Sequence, residues 1–145
     1  MTCRFAILSI ATFAVTAALA QTSETAKAPA NLKEAESTGL QRVNMGELRA
    51  LIPGVHQVRG TTGTVKRTMK ADGRLEREGF RETTGAWRFD DSQNAYCIEL
   101  VIRRGFQKEC YGVFRSPQEG HFFDYDLATG FYSRTWTPLK EQQGP

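Results

Sequence analysis

Beyond its first twenty residues the chain carries two histidines, His56 and His121, and two cysteines, Cys97 and Cys110, and these are the residues with most capacity for nucleophilic or metal chemistry. No G-x-S-x-G turn is present, so a serine nucleophile of the hydrolase kind is not signalled. His121 opens the stretch His121-Phe122-Phe123-Asp124-Tyr125-Asp126, where a histidine beside carboxylates can serve as a general base. Asp124 and Asp126 stand two apart, which on a strand puts both on one face, as a carboxylate pair or a weak calcium site requires. The simpler reading makes His121 a surface residue at a strand edge and the two carboxylates a solvated face running into a turn. No catalytic residue is therefore assigned. Cys97 and Cys110, thirteen apart, show no zinc-ligand spacing with either histidine, so no metal is expected, and no cofactor motif appears.

Charge and aromatic content point to binding instead. From Arg59 to Arg81 there are seven Lys or Arg against Asp72, Glu76 and Glu78, enough for a basic face toward an anionic partner. The alternation of Lys66, Thr68 and Lys70 with Val65, Arg67 and Met69 also fits an ordinary solvated strand, which is the preferred reading. Large aromatics gather in the second half, and Trp87, Tyr96, Phe123 and Trp136 are the candidates to line a pocket for an apolar small molecule. Core filling is the competing role for the same rings.

The elements that must hold these residues follow from punctuation and period. Met1-Thr2-Cys3-Arg4 precedes an uncharged apolar run from Phe5 to Ala20 that ends Ala18-Leu19-Ala20, the pattern of a signal peptide cleaved before Gln21. The run is shorter than the roughly 20 residues a membrane span needs. Export to the periplasm or beyond is expected, with no transmembrane segment in the mature chain. Processing removes Arg4 and leaves eighteen basic against sixteen acidic residues, too mild an excess to suggest nucleic acid. In an oxidising compartment the remaining even pair of cysteines reads as a disulfide.

Residues 21–38 are poor in large apolar side chains and read as a flexible leader, with a single β domain over residues 39–145. Asn44 with Glu47 three positions on is a capping box, and Val43 with Leu48 a hydrophobic staple, so a helix is predicted over Met45–Ile52, stopped by Pro53-Gly54. It can plug one end of a barrel. After Gly54, turn signals recur every eight to twelve residues. They delimit eight strands, Val55–Arg59, Gly63–Lys70, Arg74–Phe80, Gly85–Phe89, Ala95–Ile102, Phe106–Phe114, His121–Tyr125 and Phe131–Thr137. An all-β antiparallel meander closed into a calycin-like barrel follows, because closure removes exposed edges. Pairing Cys97 with Cys110 also sets Tyr96 opposite Tyr111 and Glu99 opposite Lys108, around a four-residue loop Ile102–Gly105 with Gly105 at positive φ.

The sequences Glu47-Leu48-Arg49-Ala50-Leu51-Ile52-Pro53-Gly54, Ala71-Asp72-Gly73-Arg74-Leu75 and Gly85-Ala86-Trp87-Arg88-Phe89, followed by Cys97 and Cys110 in paired strands, resemble a family of small exported bacterial proteins of unknown function. The resemblance runs over most of Leu48 to Tyr132. It implies an export signal and a small β-fold, and supplies no catalytic residues. The expected role is a non-enzymatic binding module for a small apolar molecule or a cell-envelope component. The alternative is an interaction protein inhibiting a host or envelope hydrolase.

Overall fold

Every strand of the domain pairs with its sequence neighbours, and the first pairs with the last. A computed structural model describes residues 26–79 and 83–140. The eight strands are β1 (Gly54–Gly60), β2 (Gly63–Met69), β3 (Arg74–Glu78), β4 (Thr83–Asp90), β5 (Ala95–Ile102), β6 (Gly105–Arg115), β7 (Phe122–Asp126) and β8 (Tyr132–Leu139). They form a closed antiparallel barrel in the order β1-β2-β3-β4-β5-β6-β7-β8, as predicted. The signal peptide predicted over residues 1–20, the start of the predicted leader and Phe80 lie outside the described residues. No helix among the described residues is long and apolar enough to cross a membrane.

Helix α2 (Met45–Leu51) has the expected capping box: the Asn44 side chain accepts from Glu47 N and the Glu47 carboxylate accepts from Asn44 N. Val43, Leu48 and Ile52 are fully buried against Trp87, Val113, Phe122 and Trp136, so the helix closes one end of the barrel. A second helix, α1 (Leu32–Ser37), occupies part of the predicted flexible leader and corrects that reading. The Asn31 side chain caps it by accepting from Glu34 N, and Ala35 is buried against Phe114, Phe123 and Tyr125 on the outer wall. Composition missed it because the apolar partners come from β6 and β7 rather than from the helix itself.

The β5–β6 register matches the expectation: Cys97 faces Cys110, Tyr96 faces Tyr111 and Glu99 faces Lys108. Ile102 and Gly105 also pair, so the loop shortens from four residues to Arg103-Arg104, with Gly105 at φ +126°. The Cys97–Cys110 disulfide joins strands whose Cα atoms are 4.0 Å apart there. Closing this short loop is worth about 2–3 kcal/mol. The Cys97→Ser, Cys110→Ser double variant should therefore melt roughly 10 °C lower. Thiol titration of the denatured wild type should find no free thiol at these positions, and an unmoved melting curve would contradict the assignment. In the next strand over, a Cβ on Gly85 would lie 2.2 Å from the Glu99 carbonyl oxygen, which accounts for glycine two residues before Trp87.

Candidate functional site

Alternation carries polar residues as well as apolar ones into the barrel. His56 and Val58 of β1, Val65, Arg67 and Met69 of β2, and Leu75 and Arg77 of β3 share the inward register, as pairings His56↔Arg67 and Arg67↔Arg77 require. β5 supplies Tyr96, Ile98 and Leu100, β6 supplies Gln107, Glu109 and Tyr111, and β7 and β8 supply Asp124, Arg134 and Trp136. The α2 end is packed with apolar and aromatic rings, including Phe122 stacked on Trp136 at 4.5 Å.

Midway along the barrel lies an ionic cluster centred on the buried Asp124 and Arg67. Asp124 accepts from the Trp136 indole N–H at 2.7 Å and from the Tyr96 hydroxyl. Arg67 Nη1 donates to Tyr96 Oη at 2.7 Å and stands 3.8 Å from the carboxylate, with its guanidinium over the Tyr96 and Trp136 rings. Arg134 Nε approaches the same carboxylate at 3.9 Å. Burial pushes the Asp124 carboxyl upward; the charges of Arg67 and Arg134 and the two donated hydrogen bonds pull it back. Burial also raises the Tyr96 and Tyr111 hydroxyls above the usual phenol range, which keeps both as neutral hydrogen-bonding groups.

Below this cluster His56 Nε2 lies 2.8 Å from the Leu51 carbonyl oxygen. A carbonyl only accepts, so the proton sits on Nε2 and leaves Nδ1 bare and without a partner among the described residues. The ring is buried and meets Trp136 edge-on at 4.9 Å. Burial first, and the Arg67 charge second, lower its pKa to about 4.

At the end opposite α2 the barrel opens into a cavity of about 570 Å³ lined by Val58, Val65, Leu100, Arg77, Glu109 and Arg134, among others. Arg134 Nη2 donates to Glu109 at 3.3 Å and to the Tyr111 hydroxyl, and the Tyr111 hydroxyl in turn donates to Glu109. Arg77 has no hydrogen bond or ion pair among the described residues, although it sits directly across from Arg67. Burial, then the positive charges of Arg134 and Arg67, push its pKa below the ordinary guanidinium value. Three guanidiniums thus face two carboxylates inside the barrel, and the surplus charge lies at the open end. No family model, curated protein or solved structure matches the chain. Function has to be read from this geometry.

The pocket residues expected from the sequence separate. Tyr96 and Trp136 meet in the ionic cluster, their polar atoms committed to Asp124. Trp87 packs in the closed-end core and donates Nε1 to the Lys70 carbonyl at 2.8 Å. Phe123 faces outward beneath α1, so it cannot line the interior with the other three. Asp124 and Asp126 also part company: Asp124 is buried, whereas Asp126 accepts from Ala128 N at 2.7 Å in the following turn. His121 lies at the strand edge, with Nδ1 3.0 Å from the Glu119 carbonyl. Lys66 and Lys70 point outward to Glu78 and Glu76, the solvated face expected of them. Arg67, Arg77, Glu109 and Arg134 were not singled out as site residues. Their signal was a charged residue in the same alternating register as Val65, Leu75, Tyr111 and Trp136.

Proposed function

We propose that this chain is an exported, non-enzymatic binding module whose ligand is a small organic anion seated in the open mouth of the barrel. The observation that carries this reading is Arg77, a half-buried cation facing a cavity beside two further arginines and lacking an anionic partner among the described residues. A like-charged cross-strand pair destabilises the sheet unless an anion lies between or beside the two groups. A carboxylate or phosphate can accept paired N–H donors from a guanidinium. Val58, Val65 and Leu100 would cover a short apolar body. A wholly apolar ligand fits less well, because the rings expected to receive it fill the closed end or bond to Asp124. Export is supported by the Ala18-Leu19-Ala20 pattern and is compatible with the disulfide.

The test is titration calorimetry of the mature protein with decanoate, benzoate and glycerol phosphate, repeated on Arg77→Gln. One of the three should bind, and Arg77→Gln should weaken it about tenfold or more, the worth of a charge-assisted hydrogen bond. Equal binding by the variant, or no binding to any of these anions, would overturn the reading.

A further inference from the structure

The β5–β6 hairpin projects past its neighbours. Among the described residues β6 pairs with β7 from Tyr111 to Arg115, and β5 pairs with β4 as far as Leu100. Residues 107–110 still belong to one sheet with β4 through β5, so the two-stranded tip is Val101-Ile102 against Gly105-Phe106 with the Arg103-Arg104 turn, about 7 Å of ribbon at the usual rise. The Cys97–Cys110 disulfide ties the same two strands further back, where β5 is still paired with β4.

The tip carries three of the five large apolar side chains that are exposed among the described residues, the other two being Phe131 and Leu139. Phe106 is 73% exposed, its cross-strand partner Val101 56% and Ile102 43%. Water-facing apolar groups at the end of a rigid ribbon gain free energy when any apolar phase covers them. The polar residues of the same tip say which phase. Arg103 and Arg104 are exposed there, and no acidic residue occurs from Leu100 to Gln107. Apolar side chains that insert, ringed by cations that stay at the headgroup level, match the surface of an anionic bilayer. A flat protein partner would leave a projecting tip only partly covered, whereas a bilayer surrounds it.

We infer that the β5–β6 tip docks the protein on anionic lipid, with Phe106, Val101 and Ile102 entering the interface and Arg103 and Arg104 pairing with lipid phosphates. Leu100 and Gln107 lie at the base of the tip and also line the cavity mouth. Docking therefore turns the open end of the barrel toward the membrane surface.

The experiment is vesicle co-sedimentation of the mature, disulfide-bonded protein with phosphatidylcholine vesicles and with vesicles of equal parts phosphatidylglycerol and phosphatidylcholine. Partition should require the anionic lipid and fall at high salt. Each basic side chain at such a surface is worth roughly fivefold in partition, so Arg103→Gln with Arg104→Gln should lose about twentyfold or more. Phe106→Ser should lose roughly tenfold, and both variants should melt as the wild type does. The inference is overturned if the wild type binds neither vesicle or both equally, or if the folded tip variants partition unchanged. Tip-dependent capture of a protein without vesicle binding would overturn it as well.

Discussion

Asp124→Ala is expected to lower the unfolding free energy by about 3–5 kcal/mol, the cost of removing one partner from a buried ion cluster. The substitution leaves Arg67 buried with no carboxylate near Nη1, and it orphans the Trp136 N–H and the Tyr96 hydroxyl proton. A loss of this size is a large share of the total stability of a domain this small. Asp124→Asn keeps an acceptor and the volume, so its loss should be smaller. The decisive measurement is a double-variant cycle with Arg67→Met by urea denaturation. Once the guanidinium is gone the missing carboxylate matters less, so the double variant should be less destabilised than the sum of the singles by at least about 1 kcal/mol. Strictly additive losses would mean that the two residues do not act as a unit.

The second large effect is a stability that depends on acid through His56. Its pKa is about 4 in the folded protein, against an ordinary value of 6.5. Between those values the unfolded chain binds a proton that the folded chain refuses, so stability is full above about pH 6.5 and declines as the pH falls toward 4. The shift corresponds to roughly 3 kcal/mol across that window. Asp124, with its carboxyl pushed upward by burial, acts in the opposite sense, because the folded state then takes up a proton more readily than the unfolded one. His56→Gln separates the two: it retains an N–H for the Leu51 carbonyl and does not titrate. Urea midpoints of wild type and variant should diverge below pH 6.5, with the wild type losing stability faster. Parallel curves down to pH 4.5 would rule out the buried, neutral imidazole as the cause.

Strand order, barrel closure, the capping box at Asn44 and the disulfide register were legible in the sequence because each is written locally, in turn residues, alternation and spacing. The helix at Leu32 carried the same signal, Asn31 followed by Glu34, but the surface that buries Ala35 lies some eighty positions on in Phe114, Phe123 and Tyr125. The interior site was half legible. Arg67 stands between Val65 and Met69 in the register of a buried face, and Arg134 two before Trp136, so parity placed both inside. Which carboxylate would meet them depends on closing the barrel, and no local pattern links β2 to β7. Phe123 shows the converse failure: Asp124 and Asp126 make the other side of its strand read as the solvent face, yet Asp124 is buried inside and Phe123 lies outward beneath α1.

Closure of the barrel has a kinetic and a thermodynamic consequence for the proposed pocket. Seven of the eight strand pairings join sequence neighbours and form as local hairpins, but β1 and β8 meet only when Gln57 finds Thr137 across nearly the whole domain. That seam is the most entropically demanding contact in the fold. Arg67 and Arg77 lie on one side of it and Asp124, Arg134 and Trp136 on the other, so in any opened sheet the cationic mouth is dismantled and its charges face water. An anion bridging Arg77 and Arg134 thus acts as a latch across the seam, favouring the closed ring by mass action in proportion to its occupancy.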